Sequence, residues 1–131
     1  MFEVRNPSDV ERAFAGAIAG RANAVVVFDD PFIHSHRARI IALAANHRLP
    51  AICGTREYAD DGGLMAYGPH RPDLYRRSAV FLDKILKGAK PAELPIEQPT
   101  RFELIVNLKA AKALGLEMPT SMLLRADEVI E

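Results

Sequence analysis

Short apolar runs alternate with helical stripes along this chain. Ala24 to Phe28 (AVVVF) is continuously apolar and bounded by Asp29-Asp30-Pro31. A strand apolar on both faces suits the inside of a parallel sheet covered by helices. Leu49 to Cys53, ended by Gly54, and Phe102 to Val106 are two more such runs, and Phe2-Glu3-Val4 reads as a short strand stopped by Asn6-Pro7. Between the strands, Val10, Phe14, Ala17 and Ile18 recur at helical spacing, with Ser8 and Glu11 at capping-box separation ahead of them and Gly20 near the end. A helix from about His34 to His47 places Ile33, Ile40, Ile41 and Ala44 on one side. Thr55 to Asp61 is a polar loop or short helix, cut by Gly62-Gly63 before Leu64-Met65-Ala66-Tyr67. Leu74, Phe81, Leu82 and Ile85 form a stripe opened by Pro72 and closed by Gly88. Ala89 to Arg101, with Pro91, Pro95 and Pro99, is an extended connection. Asn107 caps a short helix over Leu108 to Leu114, Gly115 ends it, and Pro119 to Ala126 gives a last helical turn or two. This order predicts an α/β fold: a mostly parallel sheet of right-handed βαβ units, helices on both faces, with Ala24–Phe28 and Leu49–Cys53 as neighbours.

Composition narrows the function classes. The 131 residues are enough for one domain with its own core. Lys plus Arg equals Asp plus Glu at 17 each, so the basic excess of a nucleic-acid or anionic-membrane binder is missing. Cys53 is the single cysteine, which excludes an internal disulfide, and its place at the end of a buried-type strand marks a small core residue. The N-terminus has no basic head followed by an apolar run, so it is not read as a signal peptide, and the chain as written is expected in the cytosol. No apolar stretch approaches the length that crosses a bilayer.

In open parallel sheets ligands bind beyond the carboxyl ends of the strands. That rule selects the loops Asp29 to His34, Gly54 to Tyr58 and Tyr67 to His70. Asp29 and Asp30 offer carboxylates to an amine or hydroxyl, or alternatively cap a helix. Phe32 offers an aromatic wall or packs in the core. Arg56 could clamp a ligand carboxylate beside Glu57, against the plainer reading of a surface ion pair. Tyr67 could hydrogen-bond a ligand or pack. His34 and His36, with Asp30 nearby, suggest a metal, but rings two positions apart on a helix diverge and no further ligand has matching spacing, so no metal is expected. Ser35 has no nucleophile elbow around it, and Gly62-Gly63 is followed by no phosphate-loop Lys-Ser/Thr, so neither catalysis nor a nucleotide is expected.

One stretch resembles a known family. Leu86-Lys87-Gly88-Ala89-Lys90-Pro91 runs into Leu94-Pro95-Ile96-Glu97-Gln98-Pro99-Thr100, then FELIVNLK over Phe102 to Lys109 and AAKALG over Ala110 to Gly115. This is similar to the C-terminal part of ABC-transporter substrate-binding proteins of the type I periplasmic-binding-protein fold, in the tryptophan- and tyrosine-binding branch. AVVVFDDPF and LPAICGTREYADDGGLMAYGP fall in the order that family shows. The resemblance implies two lobes with the ligand between them. It places residues 1–66 in the C-terminal lobe, 67–101 in a crossover and a helix that packs on the other lobe, and 102–131 back in the C-terminal lobe. It further implies binding of a small organic solute, an amino acid or carboxylate, without catalysis or cofactor. Asp29, Asp30, Phe32, Arg56, Glu57 and Tyr67 are then the ligand contacts, an ABC permease the partner and the periplasm the location. A stand-alone ligand-sensing or interaction protein derived from such a binding protein is the alternative. With its apolar stripe left bare, the helix Leu74 to Lys87 is expected to mediate a homodimer.

Overall fold

The computed structural model describes residues 1–131. Helix α1 (Pro7–Ala19) is followed by strand β1 (Val25–Val27), α2 (Pro31–Ser35), α3 (Arg37–Asn46), β2 (Ala51–Cys53) and α4 (Arg56–Asp60). Then come β3 (Met65–Pro69), α5 (Arg71–Leu86), a 3-10 turn at Pro91–Glu93, β4 (Phe102–Asn107), α6 (Leu108–Leu114), α7 (Thr120–Leu123) and β5 (Glu128–Ile130). The five strands lie in sequence order in one sheet. β1, β2 and β3 are parallel, β4 returns antiparallel to β3, and β5 is parallel to β4. The architecture is the mostly parallel α/β sheet expected, and Val25, Val26 and Val27 pair with Ala51, Ile52 and Cys53.

Local chemistry explains where expectation and structure part. The first helix begins two residues before the expected Ser8–Glu11 box. Asn6, held extended by the proline after it, accepts from the Asp9 N–H at 3.2 Å, and the Asp9 carboxylate accepts from the Asn6 N–H at 3.1 Å. The helix expected over His34–His47 is two helices that meet at His36, because Asp30 caps a separate first turn by accepting from the Ile33 N–H at 2.9 Å. Phe2 to Val4 pairs with no strand. Leu64–Tyr67 supplies most of β3, and β5 forms beyond the last expected helical turn.

The covering of the two sheet faces is unequal. Val10, Phe14 and Ala17 of α1, Ile40 and Ala44 of α3, and Ala51 and Cys53 of β2 form one buried cluster. Ala59, Ala66 and Ile105 form a second. The strand register puts Ala51, Cys53, Ala66 and Ile105 on the same face. On the opposite face Val26 and Tyr67 remain exposed. Burial of each large core side chain stabilises by about 1.5–3 kcal/mol. Asn107 locks this core. Its side-chain N–H2 donates to the Ala59 carbonyl and its oxygen accepts from the Ala110 N–H, both at 3.0 Å, which caps α6 as expected.

Candidate functional site

The parallel strands β1, β2 and β3 end together, and their ends crowd. A Cβ placed on Gly68 would sit 1.9 Å from the Gly54 carbonyl oxygen, so β3 can approach the end of β2 this closely only with glycine there. Gly54 in turn lies against Asp29, whose Cβ would be 3.1 Å from a Cβ at that position. The loops after the three strands are thereby drawn onto one rim.

Arg71, the first residue of α5, sits between two carboxylates on that rim. It donates to Asp29 at 2.9 Å and lies 3.5 Å from Glu57. His34 Nδ1 stands 3.6 Å from the other Asp29 oxygen. Thr55 begins α4 with its hydroxyl buried and without a hydrogen bond, and one Glu57 oxygen is likewise buried and unpaired. The N-termini of α4 and α5 have no side-chain cap, but at α5 Pro72 carries no N–H and the Asp73 N–H donates to the His70 carbonyl at 3.1 Å, which leaves the Arg71 N–H there. The rim therefore combines one guanidinium, two carboxylates, a hydroxyl and the uncapped start of α4. That set can hold a small molecule bearing both an acidic and a basic end.

Of the six residues expected to contact ligand, the structure brings Asp29 and Glu57 together through Arg71. Asp30 is engaged as the α2 cap, the alternative reading of that residue. Phe32 is half-buried, packs on the core cluster and stacks on His36 with centroids 4.3 Å apart. Arg56 faces a different set of carboxylates: Glu128 at 2.7 Å, Asp60 at 3.2 Å and Glu103 at 3.8 Å. The bond to Glu128 above all raises its pKa and ties its donors away from Arg71. Tyr67 stands apart, stacked on Phe102 at 5.7 Å on the sheet face away from Gly68. Sequence reasoning missed Arg71 and Thr55. The strand-end rule would have reached Arg71 had the third loop been extended one residue past His70.

Two further groups of titratable residues lie near the rim. His70 Nδ1 is 3.1 Å from Asp73, which also meets Arg76 and Arg101. Burial works against the charge of Asp73, yet His70, Arg76 and Arg101 together hold its carboxyl below the usual range. Beneath the rim, burial pushes the Cys53 thiol up to about 12 despite the Tyr58 hydroxyl beside it, so it is an inert core group. The divergence of His34 and His36 is plain: His34 turns to Asp29, and His36 Nδ1 lies 2.9 Å from the Phe32 carbonyl.

Comparison with known proteins agrees with the fold. The family described as ABC transporter substrate binding protein matches residues 1–130. A conserved domain protein of Vibrio cholerae O1 biovar El Tor is similar in structure, with TM-score 0.84 and 24% identity over 93% of this chain and 41% of its own. The ABC domain in complex with L-Trp from Streptococcus pneumoniae gives TM-score 0.82 and 26% identity over 94% of this chain and 40% of its own. A ligand-free, open substrate binding protein with adhesive properties from Clostridium difficile gives TM-score 0.64 and 21% identity, over 97% of this chain and 42% of its own. The chain thus spans about two-fifths of the length of these solved structures. No curated protein matches it. No helix is long and apolar enough to cross a membrane. The chain, over all but its last residue, belongs to the ABC-transporter substrate-binding protein family.

Proposed function

We propose that this chain binds a small organic solute, an amino acid or a carboxylate, at the carboxyl-end rim of its sheet, without catalysis and without a cofactor. The observation that carries the reading is Arg71 held between Asp29 and Glu57 beside the uncapped start of α5. A ligand carboxylate takes the place of Asp29 on the guanidinium and reaches the Arg71 N–H, and a ligand ammonium takes the carboxylates so released. The L-Trp bound to the Streptococcus relative supports an aromatic amino acid as the first ligand to try. In this reading Phe32, packed on the core beside the rim, is the nearer aromatic surface, while Asp30, Arg56 and Tyr67 would have to leave their present partners to reach the ligand.

In this reading residues 67–101 cross to and serve a second lobe, and the whole acts as the solute-binding component of a transporter that hands its ligand to a permease in the periplasm. A second copy docking on α5 is the accompanying proposal. It is supported by the exposure of Val80, Leu82, Ile85 and Leu86.

The test is an NMR titration of the chain with L-tryptophan, L-tyrosine and branched amino acids to millimolar concentration. Amide shifts are expected at Asp29–His34, Gly54–Glu57 and His70–Arg71. Arg71→Ala is expected to weaken binding tenfold or more, since a hydrogen bond to a charged group contributes about 1.5–3 kcal/mol. Shifts confined to the amino-terminal edge of the sheet, or none with any of these ligands, overturn the reading.

A further inference from the structure

Asp29 has two basic neighbours, and only one of them is engaged. Its Oδ2 accepts from Arg71 at 2.9 Å, while its Oδ1 lies 3.6 Å from Nδ1 of His34, too far for a hydrogen bond. That ring nitrogen is buried and has no other partner. A buried polar atom left without a hydrogen bond is costly, so its placement points to a contact made in another state of the site.

The other charged groups nearby are already held. Asp30 caps α2 through the Ile33 N–H. On α3, Arg37 is bound to Asp61 at 2.6 Å and donates to the His34 carbonyl at 3.4 Å. His36 turns its Nδ1 to the Phe32 carbonyl. Arg71 has Glu57 of α4 as its second carboxylate at 3.5 Å, and the other Glu57 oxygen is buried and unpaired. Asp29 is the carboxylate within reach of His34.

These distances set up a competition for Asp29. A neutral imidazole has one N–H and no charge to offer, so Arg71 stays on Asp29. A protonated imidazole carries an N–H on both nitrogens, and a small shift of the ring closes the 3.6 Å gap to a charge-assisted bond. The His34 side chain is 28% exposed, so the proton comes from solvent. Asp29 then keeps a cation when Arg71 turns away from it.

We infer that His34 is a proton-operated positioning residue, a role that rests on the rim being the solute site. Protonated, it takes over Asp29, frees Arg71 for the ligand carboxylate and leaves Glu57 to receive the ligand ammonium. Binding of a solute that bears a carboxylate is thereby linked to uptake of a proton, and its affinity rises as pH falls. An amine without a carboxylate gains nothing from the proton, because it makes no use of the freed guanidinium.

Calorimetric titration of the chain with L-tryptophan at about pH 7.5 and about pH 5.5 tests this, since the two values bracket the ordinary imidazole range. Kd is expected to fall about threefold or more at the lower pH, with proton uptake seen as a dependence of the heat on buffer ionisation enthalpy. His34→Gln is expected to abolish both effects. Asp29→Asn, which leaves His34 no anion to take, is expected to lose the pH dependence as well. Tryptamine is expected to bind no tighter at the lower pH. A Kd equal at both pH values, with the rim amides still shifting, overturns the inference and leaves the rim reading standing. So does an equal gain by tryptamine, or a pH dependence that survives His34→Gln and is lost in His70→Gln. No binding of any amino acid at either pH overturns both.

Discussion

Helices α1 and α5 carry apolar stripes of the same design and meet different surroundings. Val10, Phe14 and Ala17 of α1 are buried against Ile40, Ala51 and Cys53. In α5, three residues longer at 16 against 13, no residue is buried, and Leu82 and Leu86 are 57% and 78% exposed. The helices themselves are equally regular. An amphipathic stripe sets which face seeks a partner; the partner must come from elsewhere in the fold. α1 is held to the sheet by its packing on α3 and β2 in that cluster. α5 begins where β3 ends and runs outward, held by the network of His70, Asp73 and Arg101 at its base.

Substitutions can break or sharpen this contrast. The largest loss is expected at β4, the strand at the centre of the second buried cluster. Ile105, fully buried on β4 against Ala59 and Ala66, should cost about 2–5 kcal/mol as Ile105→Ala in urea denaturation. A loss no greater than that of an α5 truncation would erase the distinction between core and arm. Asn107→Ala removes both the α6 cap and the donor to the Ala59 carbonyl, and should cost about 1–3 kcal/mol by the same measurement.

Alkali gives the next effect. The native Cys53 thiol ionises at about 12, above its ordinary value of 9.0, so above pH 9 the unfolded chain loses a proton that the native chain keeps. Stability should therefore fall as pH rises from about 9 toward 12, by about 1.4 kcal/mol per pH unit. Cys53→Ala should remove the thiol's share of that slope in pH-dependent denaturation, leaving the alkaline loss from buried Tyr58, whose pKa is also raised by burial. The smallest effect is expected on α5. Leu82→Ala with Leu86→Ala should change the stability of the monomer by no more than about 0.5 kcal/mol. If α5 joins two copies, the same pair should weaken dimerisation at least tenfold in sedimentation equilibrium.

The elements legible in the sequence are those whose signal is local. AVVVF and LPAIC announced β1 and β2 by continuous apolar character, and Gly115, at φ 73°, ended α6 where only a left-handed residue fits well. The misses depend on context. Phe2-Glu3-Val4 has strand composition, but it lies across a cavity from the free edge of β1 and pairs with no strand. Glu128–Ile130 is too short to signal itself and becomes β5 because β4 offers a free side. At the site, Asp29 and Glu57 were found by the strand-end rule. Arg56 carried the same charge and position as a clamp should, yet Glu103 and Glu128, distant in sequence, claim it. Arg71 does what Arg56 was expected to do, and only the folded strand ends reveal that.

The pairing of Pro69 with Phe102 has a consequence for chain architecture. Residues 70–101 leave and return through adjacent positions, with the His70 N–H bonded to the Arg101 carbonyl at 3.0 Å across the base. The sheet is already continuous at that doorway, so the whole excursion is a detachable cassette. A two-residue turn in its place would make β3 and β4 a plain hairpin, about four halvings of loop length, together reducing the closure entropy by about 2.5 kcal/mol. The same doorway is where a host chain of this kind can accept a foreign domain without disturbing a single register of its sheet.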